Sequence, residues 1–155
     1  MKSKLSWREK LEKDQQPKLV DIPPKMVRFG KGKMLIPTPM LVDKLVRRIP
    51  KGKLVTVSEL RRKLAADFGA DVTCPLTTGI FVRIAAEAAE EDRANGRRRI
   101  APYWRVVKDD GSLNPKFPGG EKQQSQCLRD DGLSVVQNGK RVVVRDFQEC
   151  LATLQ

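Results

Sequence analysis

The most specific local pattern in this chain is LSVVQNGKRVVV, residues 133–144. Two runs rich in valine, 133–136 and 141–144, flank Asn138 and Gly139, and an Asn-Gly pair in that setting is the strongest short signal of a β-hairpin. The segments before the hairpin then decide the fold. A two-stranded ribbon that follows three helices has the element order of a winged helix-turn-helix.

Two of the upstream helices have clear start signals. Thr38 is a good N-cap, and Pro39 suits the first helical position because its missing N–H is not needed there. Thr56 and Glu59 form a T-x-x-E capping box that opens a second helix, and Gly69 ends it. The sequence therefore predicts two short helices joined by a tight connection.

The third predicted helix is the longest and runs over 75–92. Its predicted buried stripe is Leu76, Ile80, Ile84 and Ala88. The alternation of apolar and polar residues over 103–107 predicts a strand. Further helices are expected over 121–129 and 146–154. Together these elements predict a mainly α fold with a small β component, a winged helix-turn-helix domain over 39–155.

Residues 1–38 form a basic, proline-containing arm in this interpretation. The first 39 residues hold ten basic and four acidic side chains, and their prolines exclude one continuous helix. A short helix capped by Ser6 is expected near the start. The segment 25–34 has three readings: a nucleic-acid contact, a strand edge, or a solvated tail, of which we favour the tail.

Charge and composition exclude several classes of function. The net charge is +12 and the chain has no histidine, which removes imidazole-based zinc enzymes and Ser-His-Asp hydrolases. Cys74, Cys127 and Cys150 are scattered and are expected to be reduced thiols. We predict no cofactor, no metal and no membrane segment, and a cytoplasmic protein that is nucleoid-associated if the source is bacterial. Lysine and arginine in this excess indicate a polyanionic partner.

Three ordered segments carry a family resemblance: IPKGKLVTVSEL at 49–60, PYWRVVKDDGSL at 102–113 and FPGGEKQQSQCLRDDG at 117–132. They resemble the DNA-binding and catalytic domain of the methylated-DNA-protein-cysteine methyltransferases, and more closely their alkyltransferase-like relatives. Asn95 stands eight residues before Tyr103, the spacing of the family's hinge asparagine. The residues that the resemblance places around a base pocket are Asn95, Tyr103, Trp104, Arg105, Phe117 and Asp131.

The departures from the family pattern concern the reacting groups. Tyr103 stands where the resemblance implies the acceptor cysteine, and Trp104 stands where it implies the histidine. A phenol whose pKa is about 10, with no adjacent base, is a poor nucleophile towards an alkylated guanine. We therefore predict no catalytic residue and no methyl transfer. Tyr103 and Trp104 either stack on a flipped base or fill the pocket that would receive it.

The DNA-reading helix also departs from the family, because it lacks the Arg-Ala-Val-Gly-like run. One alignment puts 77–79 at the groove and another puts Ala86 and Glu87 there. We favour the first, since acidic side chains surround the second. The predicted DNA-binding residues are Thr73, Thr77, Thr78, Arg83, Arg97, Arg98 and Arg99.

These observations lead to a non-catalytic DNA-binding protein of the alkyltransferase-like type, with recognition of O6-alkylguanine lesions as the first hypothesis. The alternative is a basic winged-helix protein that binds DNA or RNA with no role in damage recognition. An enzyme with a misassigned nucleophile and a protein adaptor are the remaining candidates. We expect a monomer whose main partner is double-stranded DNA, with a repair-pathway protein as a further partner.

Overall fold

The structure is a computed structural model that describes residues 5–155, so residues 1–4 of the predicted arm lie outside the described residues. The fold is mixed α/β, with 46% of residues helical and 17% in strands. The prediction of a mainly α fold underestimated the strands, because four of the seven lie outside the segments predicted as extended. The elements in chain order are α1 (Trp7–Glu12), β1 (Lys18–Asp21), β2 (Lys33–Ile36), α2 (Pro39–Val46), β3 (Val55–Thr56), α3 (Val57–Asp67), β4 (Val72–Thr73), α4 (Pro75–Ala94), β5 (Val106–Val107), α5 (Gly120–Asp130), β6 (Val135–Asn138) and β7 (Arg141–Val144).

The predicted helix starts are confirmed by their capping hydrogen bonds. The Ser6 side chain accepts from the backbone N–H of Glu9, whose carboxylate accepts in return from Ser6. Thr38 caps α2, with Pro39 at the first position. The Thr56 hydroxyl accepts from Glu59 at the start of α3. Each cap satisfies a backbone N–H that the first turn of a helix leaves without a partner.

Within residues 5–155 the strands form three small sheets. β2 lies between β1, which is antiparallel to it, and β4, which is parallel to it. β3 pairs in parallel with β5, so that Val55 lies opposite Val106. The β6–β7 hairpin is confirmed, with Asn138 paired to Arg141 across the turn.

The segment 25–34 is not the solvated tail that we favoured. A 3-10 helix occupies Pro24–Phe29, and β2 begins at Lys33. Met26 and Met34 are buried together with Cys74 in a small apolar cluster. Sequence reasoning missed this because the lysines of the segment obscured the two methionines, which point inwards.

The N-terminal segment packs on the rest of the chain. Leu11 of α1 is buried against Ala85 and Ala88 of α4. The carboxylate of Glu91, also on α4, accepts hydrogen bonds from the backbone N–H groups of Trp7 and Arg8, at 3.1 and 3.0 Å. Because negative charge is favoured at a helix N-terminus, Glu91 fastens the start of α1 to α4. The proposed domain boundary at residue 38 stays a prediction.

The predicted stripe on α4 is wrong in its first half. Ala88 is buried and Ile84 is half-buried, as expected, but Leu76 is 66% exposed and Ile80 is 57% exposed. The later part of the stripe packs against α1 and α2, through Leu11, Trp7 and Met40. Thr78 is fully buried, so the first turns of α4 pack through another face and leave Leu76 and Ile80 towards solvent.

Two further predictions near the C-terminus are wrong. The expected strand over 103–107 is a 3-10 helix at Tyr103–Arg105 followed by the two residues of β5. The expected terminal helix is only a 3-10 helix at Phe147–Cys150, preceded by Asp146 at φ 52°. In both places tertiary packing overrides a local periodicity that spans too few residues to fix the backbone.

Candidate nucleic-acid interface

Tyr103, the residue at the implied acceptor position, lies in the main core. Its side chain is 0% exposed. Its ring contacts Trp104 and Phe117 edge to face, with both centroid separations at 5.3 Å. Its hydroxyl donates to the carboxylate of Glu90 on α4 at 2.6 Å. Of the two readings of Tyr103 kept open above, this burial supports the filled pocket over an exposed stacking surface.

The chemistry of Tyr103 follows from this environment. Burial and the hydrogen bond to Glu90 raise the pKa of the phenol far above its ordinary value of 10.0. The hydroxyl is therefore neutral at physiological pH, and its proton is held by a carboxylate. Burial also raises the pKa of the Cys127 thiol, which disfavours the nucleophilic thiolate.

Trp104 and Arg105, which follow Tyr103 in the chain, form a hydrogen-bonded network with Asp131. Arg105 donates from Nε and Nη2 to the two carboxylate oxygens of Asp131, at 2.7 and 3.1 Å, and from Nη1 to the carbonyl of Ile49 at 2.8 Å. The indole Nε1 of Trp104 donates to the same carboxylate at 3.0 Å. Arg105 and Asp131 are 13% and 6% exposed in their side chains. Asp131 thus orients Trp104 and Arg105, and all three serve packing.

Gln124 of α5 ties the 114–118 loop to this network. It is fully buried, its amide donates to the carbonyls of Trp104 and Val106 at 3.1 Å each, and its oxygen accepts from the N–H of Asn114 at 2.9 Å. Gly119 caps α5 at φ 77°, in the left-handed region where a side chain is strained. A Cβ at Gly119 would also lie 2.5 Å from the Cβ of Gln123, so the Gly-Gly segment is required by the turn.

The remaining predicted pocket residue, Asn95, lies outside the core that contains Tyr103. It is exposed at the C-terminal cap of α4. The structure thus brings five of the six candidates together in a packed core and leaves the sixth at its edge.

The arginine run after Asn95 divides into two parts. Arg97 lies 3.7 Å from the buried carboxylate of Asp92. Arg98 and Arg99 are exposed and line an open cleft of about 460 Å³. The other lining residues of that cleft are Arg47, Ile100, Pro102, Trp104 and Arg105. Two adjacent guanidinium groups on this rim suit contact with phosphate.

Two of the predicted DNA contacts, one in β4 and one in α4, do not reach the surface. Thr73 and Thr78 are buried, and their hydroxyls donate to the carbonyls of Arg61 and Cys74, at 2.8 and 2.7 Å. Their predicted role as side-chain contacts is therefore wrong, because these hydroxyls satisfy buried backbone groups instead. Thr77 is half-buried and Arg83 is exposed.

Each of the two alignments of the DNA-reading helix contains a fully buried residue, Thr78 in the first and Ala86 in the second. Ala86 is 0% exposed in the core, whereas Gly79 is exposed. The first turns of α4 and the loop that follows β5 enclose a groove of about 420 Å³. Its lining residues are Pro75, Leu76, Gly79, Ile80, Arg83, Lys108, Asn114, Pro115 and Lys116.

Sequence reasoning missed the residues that hold this site together. Glu90 and Glu91 were interpreted only as acidic groups that repel phosphate, yet one accepts from Tyr103 and the other caps α1. Gln124 was not singled out. The available signal was its position, since Gln124 and Leu128 lie four apart on one face of α5 and both are fully buried.

Within residues 5–155, no helix is both long and apolar enough to span a bilayer. Over the same residues, no group of three or more cysteine or acidic side chains is arranged to hold a metal ion.

No protein-family model and no curated protein sequence matches the chain. Its fold, however, is similar to solved structures of fission yeast Atl1. One is S. pombe Atl1 in complex with damaged DNA containing O6-carboxymethylguanine, with a TM-score of 0.52 and 19% identity. The other is S. pombe ATL in complex with DNA, with a TM-score of 0.55 and 20% identity. In both cases the similarity covers 75% of this chain and 94% of the other. The similarity of fold agrees with the family resemblance of the sequence, and this chain has a fold similar to that of Atl1.

Proposed function

We propose that this protein binds duplex DNA without transferring an alkyl group, as an alkyltransferase-like protein. The single observation that carries the proposal is the fold that it shares with Atl1 in two complexes with DNA. In this proposal α3 and α4 are the helix-turn-helix and the β6–β7 hairpin is the wing. The net charge of +12 supports a polyanionic partner independently of the fold.

The interface that we propose has two parts, the first turns of α4 and the exposed Arg98 and Arg99. Arg83, Lys108 and Lys116 surround the α4 groove and are all exposed. Within α4 the acidic residues cluster in the later turns, where Glu90, Glu91 and Asp92 are engaged by Tyr103, α1 and Arg97. The first turns of α4 are therefore bordered by cations, whereas the acidic residues of its later turns are used in contacts within the protein.

The burial and protonation of Tyr103 support the absence of alkyl transfer in this proposal. Alkyl transfer needs a nucleophile that can reach the alkyl carbon, and the phenol is fully buried, protonated and hydrogen-bonded to Glu90. The Cys127 thiol is also buried, and its pKa is raised. None of these groups has the exposure and depressed pKa of a reactive acceptor.

Two forms of this function differ in whether an O6-alkylguanine is recognised. The complex of Atl1 with damaged DNA containing O6-carboxymethylguanine supports lesion recognition as the first form. The core position of Tyr103 favours a second form, in which the protein binds duplex DNA and the space for a flipped base is occupied. A base leaves the stack most easily when it is damaged, so lesion recognition predicts a measurable preference.

Titration of the whole protein into matched fluorescent duplexes, one with a single O6-methylguanine and one with guanine, tests the proposal. We expect both to bind; the first form predicts that the methylated duplex is bound at least about tenfold more tightly, a difference of about 1.4 kcal/mol. The intact mass of the protein should be unchanged after incubation with the methylated duplex. Equal affinities would select the second form, and failure to bind either duplex would contradict the proposed function.

Removing Arg98 and Arg99 together should reduce the salt dependence of DNA binding. Each phosphate contact contributes a slope of about 0.9 in a plot of log affinity against log salt, so R98A/R99A should lower the slope by about 2. The matched control is R62A, because Glu59 already holds that exposed guanidinium through two hydrogen bonds. An unchanged slope for R98A/R99A, or an equal fall in R62A, would place the arginine pair outside the interface.

A further inference from the structure

The β6–β7 hairpin has one paired edge and one free edge. On the β7 side, the N–H of Val144 donates to the carbonyl of Gly111 at 3.0 Å, and the carbonyl of Val142 accepts from the N–H of Leu113 at 2.9 Å. β7 is therefore hydrogen-bonded on both of its sides. Within residues 5–155, β6 has β7 as its one strand neighbour, so β6 is the outer edge of the hairpin.

The alternation of hydrogen bonds shows which backbone groups of β6 point outwards. The carbonyl of Ser134 accepts from the N–H of Arg145 at 2.9 Å, so this pair is bonded across the hairpin. Bonded and non-bonded pairs alternate in an antiparallel ladder, and the register therefore turns the N–H and C=O groups of Val135 and Gln137 away from β7. No hydrogen bond within the described part of the chain uses these outward groups. They are free to pair with another strand.

The side chains of β6 do not protect this edge. Proteins commonly guard a free edge with a lysine, a proline or an inward-pointing charge, because an open row of N–H and C=O groups invites pairing with another chain. The sequence of β6 is Val-Val-Gln-Asn, which has none of these guards. Val136 is also 38% exposed, so an apolar side chain lies open at the edge.

A groove of about 610 Å³ lies beside the free edge, between β6 and α5. Val135, Gln137 and Val142 line it from one face of the hairpin, because the last two are cross-strand partners and the first is two residues away along β6. The opposite wall is formed by α5 and the glycine before it: Gly119, Glu121, Lys122, Gln123, Ser125, Gln126 and Arg129. Side chains alternate along a strand, so a strand added to β6 directs every second side chain into this groove.

The charge of the α5 wall favours an acidic partner. Lys122, Gln126 and Arg129 follow one another at spacings of four and three residues, so they share one face of the helix, and all three are exposed. No ion pair among the described residues involves Lys122 or Arg129. Glu121 is the one carboxylate among the lining residues, and the two cations leave the groove positively charged.

Two other occupants fit this edge less well. The DNA backbone supplies acceptors for the N–H groups but no donors for the free carbonyls of Val135 and Gln137, whereas an incoming strand supplies both. A second copy of this chain brings a second set of the same cations to the groove, and each copy has a net charge of +12. An extended polypeptide with acidic side chains satisfies the hydrogen bonds and the charge together.

We infer that β6 and α5 form a docking site for an extended acidic segment of a partner protein, which adds to β6 as a further strand. Main-chain hydrogen bonds form at Val135 and Gln137, and Lys122 and Arg129 hold the carboxylates of the segment. No residue lines both this groove and the clefts proposed for DNA at α4 and at Arg98. The inference goes beyond the proposed function, because neither site needs the other to be occupied.

The test uses the full chain and three fluorescein-labelled peptides, with anisotropy as the measure of binding. The first peptide alternates valine and glutamate over about six residues, the usual length of a strand. The second has lysine in place of glutamate. The third keeps the glutamates but has N-methyl groups on its internal amides, which removes the donors that a strand needs. We expect the first to bind and the other two to bind at least about tenfold more weakly.

Gln137→Pro tests the edge itself. The N–H of Gln137 points outwards and is not used by β7, so proline at this position leaves the hairpin bonds in place and removes one free donor. Binding of the glutamate peptide should fall at least about tenfold in Q137P and stay within about twofold in Q137A, because the main chain makes the contact. Thermal unfolding followed by circular dichroism should show both variants folded.

K122E/R129E tests the selection of charge. It should weaken binding of the glutamate peptide at least about tenfold and strengthen binding of the lysine peptide. The matched control is K44E/K51E, which makes the same change in net charge at two exposed lysines outside the groove. It should change neither affinity by more than about twofold, since distant exposed charges are screened by salt.

The other outcomes overturn the inference. No binding of the glutamate peptide, equal binding of its methylated form, or full binding by Q137P would show that β6 does not accept a strand. Equal losses in the two charge variants would reduce the effect to net charge. A wild-type dimer that becomes a monomer in Q137P would assign the edge to a second copy, and displacement of the peptide by a short duplex would assign the groove to DNA. Failure of the wild type to bind duplex DNA, measured separately, would contradict the proposed function and leave this site untouched.

Discussion

Replacement of Tyr103 by alanine should lower the free energy of unfolding by about 3–5 kcal/mol, the range for truncation of a buried aromatic side chain to alanine. The ring is fully buried between Trp104 and Phe117, so its removal leaves a cavity in the main core. Domains of this size have a total stability of about 5–15 kcal/mol, and the loss is a large part of it. Urea unfolding followed by far-UV circular dichroism measures the change.

Tyr103→Phe is the matched control for this prediction. It keeps the ring and removes only the hydrogen bond to Glu90, which also accepts from Arg93, so the cost should be about 1 kcal/mol. A Y103A loss no larger than that of Y103F would show that the ring does not support the core. Such a result would reopen the reading in which Tyr103 is available to stack on a base.

The same site predicts a dependence of stability on alkaline pH. The folded-state pKa of Tyr103 is raised, so its protonation stabilises the fold fully below the ordinary value of 10.0, and this contribution is lost as the pH rises above that value. Tyr103 is the only tyrosine in the chain, so tyrosinate absorbance reports this group alone. We expect its ionisation only together with unfolding, and Y103F should lack this part of the alkaline loss. Ionisation near 10 in a folded protein would contradict the buried position.

The second large effect is expected at Asp131. Its replacement by alanine should cost about 3–5 kcal/mol, the penalty for removing one partner of a buried ion pair. The substitution would leave the guanidinium of Arg105 without its carboxylate and the indole N–H of Trp104 without an acceptor. Both groups are too enclosed to recover those hydrogen bonds fully from water. Thermal unfolding monitored by tryptophan fluorescence measures the loss.

Asp130 provides the matched control, since it is the exposed neighbour of Asp131 on α5. Its carboxylate accepts from Gln126 at 2.9 Å, and D130A should cost less than about 1 kcal/mol, as is usual for a surface pair. Similar losses in D130A and D131A would show that the network around Arg105 is not a special source of stability. D131N should fall between the two, because it keeps an acceptor and loses the charge.

Most of the local structure was predictable, because it depends on short-range signals. Ser6, Thr38 and Thr56 cap helices with side chains that reach N–H groups three residues away. The Asn-Gly pair marked the hairpin, although Asn138 ends β6 and the turn itself is formed by Gly139 and Lys140. The resemblance of three motif segments also indicated the fold. These features need no information about distant parts of the chain.

The arrangement of the candidate site was less predictable, because it depends on contacts across long stretches of sequence. Glu90 meets Tyr103 across 13 residues, and Glu91 meets Trp7 across 84. Periodicity placed Leu76 and Ile80 in the core since it cannot tell which turns of a long helix will find a partner. Thr73 and Thr78 were likewise assigned to DNA by residue type, and burial removed them.

The sequence by itself determined the basic character of this protein, the absence of a histidine-assisted thiol and the order of its helices and hairpin, because these are properties of composition and of neighbouring residues. The tertiary structure decided that Tyr103 is sealed in the core, that the acidic half of α4 is used for internal contacts, and that Leu76 and Ile80 are left exposed. The physical reason is coverage. Which residues of a helix are buried depends on which other elements pack against it, and that is settled only when the chain folds.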